Sequence, residues 1–111
     1  MAIGGYAVQS LHAQGKKAYT VTENQVLDAK LAADFSPRVT TAQAAAGGRN
    51  FNTAGGEVVA MEGAAPERVA ITEWESLEKA EAFFKSKAWT DMNADREKAF
   101  KTIRRYTVVQ R

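Results

Sequence analysis

The residues with the most chemical promise lie in "GGRNFNTAGG", residues 47–56, where two glycine pairs bracket Arg49, Asn50 and Asn52. A glycine-rich turn beside a cation can cradle phosphate, because backbone amides and a helix N-terminus then converge on the anion. That chemistry needs G-x-x-x-x-G-K-[ST] between a strand and a helix, or G-x-G-x-x-G opening a helix. Neither motif occurs here. The glycines follow a helical stretch and precede extended ones, so Gly47-Gly48 read as a helix stop and Gly55-Gly56 as a hairpin turn. Arg49 is left as the chemically interesting residue between them.

Arg49 and Arg104 each fall in or beside a strand, where a guanidinium can form a bidentate pair with a carboxylate or an anionic ligand. Two readings are open. The arginines pair with Glu23, Glu62 or Glu73, or one of them lines a pocket between sheet and helices. In the second reading Tyr19, Trp74 and Phe84 form an apolar wall, as small-molecule sites usually require. The ligand-binding candidates are therefore Tyr19, Arg49, Trp74, Phe84 and Arg104. Glu62 and Glu73 are the carboxylates placed to act as general bases, a role that needs partial desolvation. Glu73 and Arg104 are accordingly the catalytic candidates. Glu75, Glu78 and Glu81 read as a solvated helix face, as do Asp95, Arg96, Glu97 and Lys98.

Composition removes several classes of chemistry. With no cysteine there is no disulfide framework, no thiolate metal site and no cysteine nucleophile. The single histidine, His12, lies in an N-terminal segment with little to hold it, so neither a histidine-rich metal site nor a Ser-His-Asp triad is expected. No metal or cofactor is implied. Fifteen basic and thirteen acidic side chains leave a net charge of +2. Lys101, Arg104, Arg105 and Arg111 gather near the C-terminus, but Glu73, Glu75, Glu78 and Glu81 are available to offset them. A nucleic-acid partner is not expected, and no run of residues approaches transmembrane length.

The elements that must position these residues begin after a distinct N-terminal stretch. Residues 1–15 are small, mildly apolar and uncharged, and resemble the tail of an export signal without its basic and apolar regions. They are read as an N-terminal extension or as the remnant of a truncated signal peptide. A cytoplasmic location goes with the first reading if Met1 is the true start, and a periplasmic or secreted one with the second. The remaining residues, 16–111, form one domain.

"KAYTVTEN" alternates and reads as a strand. Leu27, Leu31, Phe35, Val39 and Gln43 form a helical stripe that Pro37 is expected to break, with Ser36 capping the second piece. "RNFNT" and "EVVAMEG" read as short strands joined at Ala54-Gly55-Gly56. "GAAPE" is a turn and "RVAITEW" a strand. Ser76 caps an amphipathic helix carrying Leu77, Ala80, Phe83, Phe84 and Ala88. A further helical piece spans roughly 90–101, and "TIRRYTVVQ" closes the chain as a strand.

This βαββαβ order predicts a ferredoxin-like α+β fold, an antiparallel sheet with both helices on one face. The same order occurs in RNA-recognition modules, but their stacking aromatics are missing from the strands. Val58, Val69, Ile71, Val108 and Val109 cannot all reach the helices. An apolar open face is therefore expected, covered most economically by a second copy, sheet against sheet.

"KAYTVTE", the helix ending in "AAGGR", "GGEVVAMEGAAPERVAITEWESLEKAEAFFKSKAW" and the closing "RRYTVV" together resemble the domain of unknown function 1330 family over roughly residues 16–110. The most specific pieces are Gly47-Gly48-Arg49, Glu62-Gly63 before Pro66, Trp74-x-Ser76-x-x-x-Ala80 and Arg104-x-Tyr106-x-Val108. The resemblance implies a dimeric α+β barrel, two ferredoxin-like protomers closed sheet to sheet. Its wider group includes cofactor-free monooxygenases and muconolactone isomerase-like enzymes, while the family itself carries no established reaction. The expectation is an uncharacterised homodimeric protein binding a small organic ligand. The alternatives are a cofactor-free monooxygenase- or isomerase-like enzyme acting on a small aromatic or lactone-like substrate, and a structural dimerisation module.

Overall fold

A computed structural model describes residues 15–111; His12 and the N-terminal extension up to residue 14 lie outside the described residues. Strand β1 spans Ala18–Val26, helix α1 Ala29–Ala45, strand β2 Arg49–Asn50 and strand β3 Arg68–Trp74. Helices α2 (Leu77–Lys85), α3 (Lys87–Thr90) and α4 (Asn93–Ala99) lead into strand β4, Phe100–Val109. The four strands form one antiparallel sheet in the order β2-β3-β1-β4. Both outer strands are reached by helical crossovers, which gives the ferredoxin-like α+β arrangement.

Helix α1 runs straight through Pro37 instead of breaking there. Asp28 caps it by accepting from the Leu31 amide at 3.0 Å. The Ser36 hydroxyl caps nothing: it donates back to the Ala32 carbonyl at 2.9 Å, within the same helix. One lost hydrogen bond at Pro37 costs less than giving up the packing of Ala32, Phe35 and Gln43, which are buried on either side of it. The helix ends in a Schellman motif. The Gly48 amide reaches the Gln43 carbonyl at 2.7 Å and the Gly47 amide reaches Ala44 at 3.1 Å.

The two glycines of that pair have different tasks. Gly47 has φ +92°, the left-handed conformation a helix stop needs. Gly48 is needed for close approach, since a Cβ there would lie 2.9 Å from the Trp74 indole and 3.0 Å from the Thr72 methyl.

The middle of the chain differs from its sequence reading. "EVVAMEG" forms no strand, and β2 pairs directly with β3, Arg49 opposite Glu73 and Asn50 opposite Thr72. The cause is local: the Asn50 side chain accepts from the Asn52 amide and Asn52 sits at φ +60°, which turns the chain out of the sheet. Gly55 and Gly56 do make a turn, closed from the Gly56 amide to the Thr53 carbonyl at 2.9 Å, but inside a long connection rather than at a hairpin tip. Val59 and Met61 in that connection are exposed. The last helical region is likewise two short pieces ending at Ala99, with Phe100 already in strand.

The core lies between helices and sheet, with its aromatic cluster beside the start of β1 and the end of β3. Trp74 is fully buried against Phe83 at 5.3 Å between ring centroids, and Phe83, Phe84 and Trp89 contact one another at 5.1–5.5 Å. Ala18, Ala32, Phe35, Ala80, Met92, Ala99 and Phe100 complete it.

Candidate functional site

Alternation along β1 sends Ala18, Thr20, Thr22 and Asn24 toward the helices and Tyr19, Val21 and Glu23 to the other side. The register carries this across the sheet. Arg68, Ala70, Thr72 and Trp74 join the helix-facing row from β3, and Arg105 and Thr107 from β4. Beyond Trp74 this buried row is not the Val, Ile and Leu that normally fill a helix-on-sheet interior. Thr20, Thr22, Asn24, Gln43 and Thr72 are all at least 92% buried.

Some of these polar groups satisfy one another. The Trp74 indole donates to Thr20 Oγ1 at 3.0 Å, Thr20 meets Thr107 at 2.7 Å, and Thr72 donates to Gln43 Oε1 at 3.2 Å.

Beside them the layer opens into a cavity of about 80 Å³, several times the roughly 10–15 Å³ that one water needs. Its apolar wall comes from Phe35, Val39, Phe84, Trp89 and Phe100, and its polar wall from Thr22, Asn24, Gln43, Thr72 and Thr102. Three arginines, Arg68, Arg96 and Arg105, also line it, and they are its only ionisable residues among the described ones.

Each arginine is held by neutral groups. Arg68 donates from Nη1 to Asn24 Oδ1 at 3.2 Å and from Nη2 to Ser36 Oγ at 3.3 Å, with its guanidinium 4.5 Å from the Phe100 ring centroid. Arg105 donates from Nε to Thr22 Oγ1 at 3.0 Å and lies 4.9 Å from the Trp89 ring. Arg96 donates to Asn93 Oδ1 at 3.0 Å and Thr102 Oγ1 at 3.4 Å, and sits 5.2 Å from the same Trp89 ring. Its Nε is buried without a partner among the described residues.

A bulge between Glu23 and Asn24 makes this convergence possible. Arg104 opposes Glu23 but Thr102 opposes Asn24, so Ile103 is the extra residue and both Thr102 and Arg105 face the cavity.

No carboxylate neutralises the three. Every ion pair among the described residues uses other cations: Lys17, Arg38, Arg49, Lys79, Lys87 and Arg104. Residues 1–14 contain no Asp or Glu that could serve. The electrostatics register the imbalance. Burial pushes the Arg105 guanidinium down to about 10, with the nearby Arg96 charge adding to the effect, and burial also lowers Arg68. At neutral pH Arg68 and Arg105 nevertheless remain cationic.

The residues singled out from sequence fall mostly elsewhere. Arg49 and Arg104 lie on the open side of the sheet, each paired with the residue opposite it: Arg49 with Glu73 at 3.3 Å and Arg104 with Glu23 at 2.5 Å. These are the cross-strand pairs of the first sequence reading. Tyr19 is on that same side, 6.2 Å from Phe51 between ring centroids. Trp74 is core, and of the five ligand-binding candidates Phe84 alone lines the cavity.

Glu73 also faces away from the cavity. Partial burial raises its carboxyl, but the hydrogen bonds and charges of Lys17 and Arg49 outweigh that and hold it below the ordinary value. Glu62 is exposed in the long connection. Arg96, read as surface from its charged neighbours, instead turns inward. Among the described residues no group of three or more His, Asp or Glu side chains is placed to hold a metal ion, and no helix is long and apolar enough to cross a membrane.

Fold and cavity together define a small α+β sandwich with a basic polar pocket between its layers. The chain belongs to the domain of unknown function 1330 family, whose model matches residues 17–110. Among solved structures it is similar to a protein of unknown function from Rhodopseudomonas palustris, with a TM-score of 0.58 and 8% identity over 96% of this chain and 89% of that one. At that identity the likeness shows the shared fold. No curated protein matches.

Proposed function

We propose that this protein is a homodimeric α+β barrel that binds a small organic anion in the pocket between its helices and its sheet. The observation that carries the reading is the set of three cavity-lining arginines with no carboxylate partner. Burying a guanidinium costs stability unless an opposite charge compensates it, and a bound anion supplies that charge. The apolar wall of Phe35, Val39 and Phe84 suits the carbon body of such a ligand. Binding is favoured over turnover because the described residues lining the cavity include no group that exchanges a proton near neutral pH.

The dimer is supported by the opposite side of the sheet. Tyr106 and Val108 are exposed large hydrophobics there, beside half-buried Tyr19, Val21, Val69 and Ile71. An apolar face of this extent favours a second sheet over solvent.

Trp89 lies in the cavity wall, so its fluorescence reports occupancy. Titration with small carboxylates is expected to change that emission and raise the melting temperature. Arg105→Gln should shift both responses to at least tenfold higher ligand concentration and Arg49→Gln should shift neither. Equal responses in the two variants would remove the pocket from consideration.

A further inference from the structure

The arrangement of the three arginines narrows the ligand further, on the premise that the pocket binds an anion at all. They do not form one cluster. Arg96 and Arg105 share a single ring, Trp89, at 5.2 and 4.9 Å, and the charge of Arg96 acts on Arg105. Arg68 stands apart, on Phe100. It lies on the other side of β1, since Arg68 opposes Asn24 from β3 while Arg105 opposes Thr22 from β4.

Both side chains lean over β1, and each is anchored on a residue of that strand: Arg68 on Asn24 and Arg105 on Thr22. These anchors are two residues apart on one face of one strand, a spacing of about 7 Å. The cavity floor thus presents two separate positive centres with neutral polar groups between them, under a roof that includes Val39 and Phe35.

We infer that the ligand is a dicarboxylate with a short carbon spacer. One carboxylate is held by Arg96 and Arg105 and the other by Arg68. Each carboxylate accepts from a planar guanidinium already fixed by a neighbouring hydrogen bond and an aromatic face, so little side-chain entropy is lost on binding. The unpartnered Arg96 Nε gives the paired subsite a spare donor. With the two anchors about 7 Å apart along β1, a four- to six-carbon skeleton suits a carboxylate at each centre. A single phosphate, with its charge on one centre, would leave Arg68 unpaired.

Isothermal titration of the full chain with succinate, glutarate and adipate, with the monomethyl ester of the tightest binder, and with inorganic phosphate tests this. The best dicarboxylate is expected to bind at least thirtyfold tighter than its half-ester. Arg68→Gln should erase that advantage while half-ester binding stays within about twofold, and Arg105→Gln should weaken both ligands. Circular dichroism on each variant confirms that the fold is intact. Equal affinity for diacid and half-ester would overturn the two-centre inference and leave the anion pocket standing. Phosphate binding as tight as the best diacid and indifferent to Arg68→Gln would also overturn it. Failure of every probe to bind the folded wild-type protein would overturn the anion pocket as well.

Discussion

The two faces of one sheet have exchanged their usual characters. Toward the helices, where an interior is normally apolar, β1 presents Thr20, Thr22 and Asn24, flanked by Arg68, Thr72 and Arg105. Toward the open side, where a sheet is normally polar, it presents Tyr19 and Val21, flanked by Val69, Ile71, Tyr106 and Val108. Burial of apolar surface drives folding at roughly 25 cal/mol per Å², so a sequence that spends its strand hydrophobics on the outer face must cover that face by other means. A sequence that puts arginines inside must likewise supply their counter-charge from elsewhere. The proposed second copy on one side and the proposed anionic ligand on the other would each offset one half of this inversion.

The largest expected effect comes from breaking the outer face. Val21 opposes both Ile71 and Tyr106, at the centre of the open sheet. Val21→Asp puts a charge where the proposed dimer has no partner for it, and should weaken association at least a hundredfold. Sedimentation equilibrium would show a monomer, with the helical signal unchanged because the core lies on the other face. A variant that keeps the mass of a dimer would remove this face from the proposed contact.

Next in size is the inner face at its polar end. Arg105→Gln keeps a hydrogen-bond donor near Thr22 but removes the charge, and anion affinity should fall ten- to a hundredfold, about 1.4 kcal/mol for each tenfold. If affinity holds, the charge at Arg105 is not what binds the ligand.

The dry end of the inner face gives a smaller effect, and on stability alone. Gly48→Ala drives a methyl to 2.9 Å from the fully buried Trp74 ring. Overpacking of this kind costs about 1–3 kcal/mol. Urea unfolding should show the loss, whereas anion affinity should stay near wild type. Coupled loss of both would mean that the dry and wet ends of the layer are one unit.

The fold was legible from alternation and caps, and Ser76 accepts from the Lys79 amide as its position before Leu77 implied. The site was not legible, for a physical reason. In "AYTVTEN" the period of two separates Tyr19 and Val21 from Thr20 and Thr22, but it cannot say which set meets the helices, and habit assigns the apolar one inward. Arg104 and Arg105 carried a usable signal, since adjacent strand residues face opposite ways and one of them had to face the helices. The bulge at Ile103 and the inward turn of Arg96 had no such signal, because both depend on register set by the tertiary structure. Pro37 misled for a related reason: helix propensity is local, and the packing that overrides it is not.

The smallest expected effect concerns the charges that border the outer face. Glu73 is shared between Lys17 and Arg49, at 3.2 and 3.3 Å, and its carboxyl is held below the ordinary 4.5. In the native protein it therefore stays ionised at a pH where the unfolded chain has begun to bind a proton. Its contribution is complete above the unfolded value and fades as pH falls through the native one. Glu73→Gln should accordingly be slightly less stable than wild type at pH 7, with the two unfolding curves converging as the medium is acidified below 4.5. Both cations are at least half exposed, so salt should shrink the difference at pH 7. A gap that persists in strong acid or in high salt would assign the loss to packing beside Tyr19 rather than to charge.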